Sequence, residues 1–149
     1  MNKRIQEYSV FLVVVQMACL IFLFVTTPSA IYKSLFLIPF EFLSFLILSW
    51  AMLSLNSKTI SIFPVIRKNA VFSFRGPYKT VRHPMYLSIL VLAVPLLFAH
   101  FTFIRLIVIL ILTIILFMKI EVEEQLLRKK YPGYCNYSRR TYRIIPYIY

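Results

Sequence analysis

Four long apolar runs, at about residues 8–25, 35–55, 84–98 and 103–118, constrain this chain more than any other feature. A helix rises about 1.5 Å per residue, so roughly 20 apolar residues match the ~30 Å hydrocarbon core of a bilayer. Hydrophobic residues make up 60% of the 149, above the roughly 45–50% of a soluble domain. A soluble fold of this length has no interior large enough to hide that surface. The sequence therefore predicts an all-α integral membrane protein of about four transmembrane helices, with residues 1–149 forming one domain. Lys3 and Arg4 before the first run, and Thr-Thr-Pro-Ser-Ala after it, superficially resemble a signal peptide. The run from Tyr8 to Val25 is longer than the usual apolar region of such a peptide and reads as the first span.

The net charge is +12, and its distribution orients the spans. Two basic residues (Lys3 and Arg4) precede the first run. Six lie between Asn56 and His83, and seven between Lys119 and Arg143, so 15 of the 17 fall in three segments. Four spans put all three segments on one side, leaving Lys33 and Arg105 on the other. Basic segments stay cytoplasmic, so a multi-pass chain with cytoplasmic termini is expected. The same segments suit anionic lipid headgroups. They do not form the basic stripe on a soluble module that nucleic acid would require.

The two cysteines, Cys19 in an apolar run and Cys135 in the basic tail, lie in different environments, so a disulfide is not expected. Two histidines and no aspartate leave little for a metal cluster, and none is predicted.

Two segments, both on the expected cytoplasmic side, carry chemistry. The first is Gly76-Pro77-Tyr78 followed by Arg82-His83-Pro84-Met85-Tyr86. Pro84 suits the first turn of the third span. A helix start offers free N–H groups and partial positive charge to a carboxylate or phosphate, and Arg82 adds a forked donor. Arg, His and Tyr are equally at home in an interfacial belt. The second segment holds Glu121, Glu123 and Glu124, then Tyr134, Tyr137, Arg140, Arg143 and Pro146. Acids among aromatics suit a cationic ligand. They also suit a solvated helix with a Glu124–Arg128 pair.

Taken together, Gly76-Pro77-Tyr78, the Arg82–Tyr86 sequence, the hairpin of spans, Glu123-Glu124, and Tyr134 and Tyr137 ahead of Ile145-Pro146 resemble the isoprenylcysteine carboxyl methyltransferase-like family. Membrane phospholipid methyltransferases are similar in the same places. The resemblance covers roughly Ala70 to Pro146. It implies S-adenosylmethionine as cofactor in a cytoplasm-facing pocket, and a lipophilic substrate entering from the bilayer. By position it assigns Tyr78, Arg82, His83, Pro84, Tyr86, Glu123 and Glu124 to the cofactor site, with Tyr134 and Tyr137 on the tail that closes it. Glu123, Glu124 and Arg140 are the catalytic candidates, Arg140 as a tail position facing the substrate. One departure is Tyr131-Pro132-Gly133 where relatives commonly carry Phe-Gly.

The tail Tyr142–Tyr149 also resembles membrane sterol reductases, which use NADPH, although their larger sterol-binding body has no counterpart here. A non-catalytic lipid-binding adaptor explains the charge but not the clustered acids. Finally, Glu41 and Arg105 lie near the outer ends of spans two and four and are placed to pair, since a charge within a span usually has a partner; the alternative is that Arg105 snorkels to the interface.

Overall fold

The computed structural model describes residues 3–28, 35–55 and 75–146. The larger part of the expected Asn56–His83 loop, with Lys58, Arg67 and Lys68, lies outside them, as does Lys33. The described residues form helices α1 (Lys3–Val25), α2 (Ile38–Ser54), α3 (Pro84–Ala99), α4 (Phe103–Lys130) and α5 (Tyr134–Ser138), with a 3-10 turn at Gly76–Lys79. No strand occurs among them.

The apolar runs form α1 to α4, and local sequence sets their ends. Pro84 opens α3, where its missing N–H costs nothing. Thr102 caps α4, its hydroxyl accepting from the Arg105 N–H at 3.3 Å. Pro132 follows the end of α4. Two helices, α1 and α4, are long and apolar enough to cross a membrane. At 17 and 16 residues, α2 and α3 are shorter. α4 is about 42 Å long at about 1.5 Å per residue. Its apolar part ends at Met118, and Glu123 and Glu124 lie in the charged stretch that follows.

The distribution of polarity fits a bilayer. Phe103, Ile104, Ile107, Leu110, Ile111 and Ile114 of α4 are exposed, as are Phe11, Val14 and Ile21 of α1. Ser9, Gln16, Ser44, Ser88, Arg105, Lys119 and Glu124 are buried. Apolar surface that would be costly in water is neutral against lipid tails, while polar groups must find partners within the protein.

α4 packs chiefly on α1, and α2 chiefly on α3, while α3 and α4 also meet across their short connection. The core joins Cys19 and Leu23 of α1, Ala93 and Leu97 of α3, and Ile109, Leu112 and Leu116 of α4. The Ser44 hydroxyl donates to the Ser88 carbonyl at 2.9 Å, tying α2 to α3.

The expected Glu41–Arg105 pair does not form, and none of the ion pairs between described residues includes Glu41. Arg105, 1% exposed, donates instead to the carbonyls of Leu23 (3.3 Å) and Leu96 (2.9 Å) and to the hydroxyls of Thr26 (2.9 Å) and Thr27 (3.0 Å). Leu23 and Leu96 lie in the last turns of α1 and α3. Those turns expose carbonyls and the negative end of the helix dipole. Two helix ends thus take the place of the expected carboxylate.

Candidate active site

The candidate site is assembled by the tail folding back on the start of α3. Val81 and Tyr142 form a parallel bridge. The N–H of Arg82 donates to the Tyr142 carbonyl (2.7 Å), that of His83 to Arg143 (3.0 Å), and that of Tyr142 to Thr80 (2.9 Å). The Tyr137 hydroxyl donates to the Tyr78 carbonyl at 2.6 Å.

Gly76 sets the approach of this segment. Its φ is +59°, and a Cβ there would lie 1.9 Å from Ser54 Oγ at the end of α2. Both the left-handed backbone and the close contact require glycine. Gly133, with open space around its Cα, meets neither requirement.

Beneath the tail, Arg82 and Glu124 form a buried lock, their side chains 9% and 1% exposed. Arg82 Nε donates to Glu124 Oε1 at 2.8 Å. Arg82 Nη1 donates to the Ser138 carbonyl at 2.7 Å and to the carbonyl of Thr141. Glu124 Oε2 accepts from Arg128 and Arg143, each at 3.2 Å, and Arg143 also reaches Glu121 at 3.3 Å. Burial alone would push the Glu124 carboxyl up. The imidazole of His83 and the guanidinium of Arg82 outweigh it and hold the carboxyl at about 2. Of the two, Arg82 has the better contact, because His83 Nε2 stands 3.5 Å from Oε1 without a hydrogen bond.

Glu123, the neighbouring acid, has a different environment. Its side chain is one-third exposed, and its Oε2 accepts from the Tyr86 hydroxyl at 3.1 Å and lies 3.8 Å from His83 Nδ1. The His83 ring is buried between the two glutamates and stacks on Tyr86 at 5.6 Å. Its Nε2 has no hydrogen-bond partner among the described residues. Tyr78, Tyr134 and Tyr137 are buried as well. Burial raises all three phenols, that of Tyr137 to about 12, so each is neutral at physiological pH.

The model of the isoprenylcysteine carboxyl methyltransferase (ICMT) family matches residues 35–129. The chain belongs to this family. The match spans α2 to nearly the end of α4, including Arg82–Tyr86 and Glu123-Glu124, and leaves out α1 and the tail. Among curated proteins no match is found. ICMT family membership makes the protein one of a family of membrane methyltransferases.

Of the candidates named from the sequence, the fold brings together Tyr78, Arg82, His83, Pro84, Tyr86, Glu123, Glu124, Tyr134 and Tyr137. Arg140 stands apart, exposed on the tail. Sequence reading did not single out Lys119, which is 1% exposed. Its Nζ donates to Gln16 Oε1 at 2.5 Å and lies 5.2 Å from the centre of the Tyr86 ring. The available signal was a lone lysine at the end of an apolar run, four residues before Glu123 and so on the same helix face.

Proposed function

We propose that this protein transfers a methyl group from S-adenosylmethionine to a lipophilic acceptor drawn from the bilayer. The acceptor is an isoprenylcysteine-type carboxylate, as the family's name carries, or a lipid amine. In this reading the chain crosses the membrane several times with both termini cytoplasmic, and its basic tail and loop lie against anionic headgroups.

The observation that carries the proposal is the division of labour between two adjacent acids. Glu124 is enclosed by arginines, whereas Glu123 is part-exposed, oriented by Tyr86 and 3.8 Å from Nδ1 of the buried His83 imidazole, whose Nε2 has no hydrogen-bond partner among the described residues. A sulfonium cation suits a carboxylate flanked by aromatic faces. The imidazole and the start of α3 suit an amino-acid head. When bound, the cofactor supplies an electrophilic methyl group at a cationic sulfur.

Glu123, Tyr86 and His83 then face the cofactor, while Tyr78, Tyr134 and Tyr137 close over it. Arg82 and Glu124 act by holding the tail in place, and Arg140 is left on the tail to meet an acceptor. Methyl transfer is an in-line displacement, so the protein's main task is alignment, which supplies roughly 7–11 kcal/mol of barrier lowering. An ionised carboxylate acceptor needs no base. An amine needs one, and His83 is the candidate.

Calorimetry on the detergent-solubilised protein tests this. Wild type is expected to bind both S-adenosylmethionine and its demethylated product. Glu123→Gln should weaken the former more than the latter by about tenfold, the size of one charged contact, because the product lacks the sulfonium charge. Absence of binding by wild type would refute the methyltransferase reading.

A further inference from the structure

α1 lies outside the family match, yet it places one polar side chain against the centre of the site. Gln16 is 4% exposed and sits in an otherwise apolar stretch of α1. Its Oε1 accepts from Lys119 Nζ at 2.5 Å. The ammonium so held lies over the face of Tyr86, and the Tyr86 hydroxyl in turn donates to Glu123. Lys119 is also one helical turn from Glu123 on α4, within reach of its charge.

Packing alone does not favour this arrangement. Burying an ammonium is costly, and an apolar side chain of similar volume at such a position is often neutral or stabilising. Gln16 and the Tyr86 ring offset that cost, and the ring interaction restrains the ring itself. Tyr86 thus has both its face and its hydroxyl engaged, and its hydroxyl holds Glu123.

We propose that Gln16 and Lys119 are positioning residues that make α1 part of the catalytic unit by fixing the Tyr86–Glu123 pair. The proposal rests on the reading that this pair faces the cofactor. Neither residue touches the cofactor in this account. Gln16 acts through Lys119, and Lys119 through Tyr86 and Glu123.

The test uses the full chain in detergent with Gln16→Leu, Lys119→Met, Lys119→Arg and the Gln16→Leu/Lys119→Met double variant. Ser44→Ala, which removes a buried hydrogen bond elsewhere, is the control. Calorimetry with S-adenosylmethionine and its demethylated product is combined with thermal unfolding. Gln16→Leu and Lys119→Met should each weaken the methylated cofactor by about tenfold, the size of one lost hydrogen bond to a charged group. The product should be weakened less, the pattern expected of Glu123→Gln. The double variant should be no weaker than Lys119→Met, because residues that act as a chain are not additive. Lys119→Arg should recover most of the loss, and Ser44→Ala should bind like wild type. Should Lys119→Met not fold, Gln16→Leu alone decides. Wild-type binding with a Gln16→Leu affinity within twofold of it overturns the proposal and leaves the proposed function standing. Equal losses for both ligands also overturn it. No binding by wild type removes the proposed function and the positioning role together.

Discussion

Replacing Glu124 by Gln keeps the shape of the side chain and removes only its charge. The native carboxyl titrates at about 2 against an ordinary 4.5. At about 1.36 kcal/mol per pH unit, that gap corresponds to about 3 kcal/mol of stability. A similar figure, roughly 3–5 kcal/mol, is typical when one member of a buried ion pair is removed. The folded-state value is depressed, so the contribution is fully present above pH 4.5. It is lost as pH falls from 4.5 through 2. Unfolding midpoints in detergent should therefore drop by about 6–12 °C for Glu124→Gln at pH 7, taking about 2–4 °C per kcal/mol. The difference from wild type should narrow as the pH is lowered from 4.5 towards 2, where the native carboxyl is itself about half protonated. Glu123→Gln, at a part-exposed position, should shift the midpoint by no more than about 2 °C. A Glu124→Gln variant that unfolds with wild type at pH 7 would refute the lock, as would a deficit that does not depend on pH.

Gly76→Ala should cost about 2 kcal/mol or more and abolish cofactor binding, because the added Cβ meets Ser54 at a positive φ. Gly133→Ala should be neutral within about 0.5 kcal/mol, and unfolding midpoints check both. Arg105→Met should lower stability by about 3 kcal/mol or more, since it strips a charged donor from buried helix-end carbonyls. Comparable unfolding of Arg105→Met and wild type would show that the helix ends need no such donor. For topology, single cysteines at Ile60 and His100 in a cysteine-free chain should label from the cytoplasmic and the outer side respectively, and reversed labelling would overturn the orientation.

The apolar runs of 18 or so residues were sufficient by themselves to determine a helical membrane chain, since only helices and closed barrels satisfy the backbone in lipid. The helix starts at Pro84 and after Thr102, and the extension of α4 past Met118, were equally local properties. The order Arg82–Tyr86, Glu123-Glu124, Tyr134 and Tyr137 was sufficient to indicate the family. What the linear chain did not reveal was which of two adjacent acids is buried. The Glu124–Arg128 contact is a local i, i+4 pair and was legible. Consecutive helical residues point about 100° apart, however, and only the packing of the tail and the start of α3 decides that Glu124 also meets Arg82 and Arg143 while Glu123 stays open. Arg105 shows the same limit. Its charge called for a partner, and a similar depth near the outer ends of the spans suggested Glu41, but the ends of α1 and α3 supply carbonyls and dipoles that no residue type announces. Gln16 and Lys119 are separated by 103 positions, and their contact exists only because α1 packs on α4.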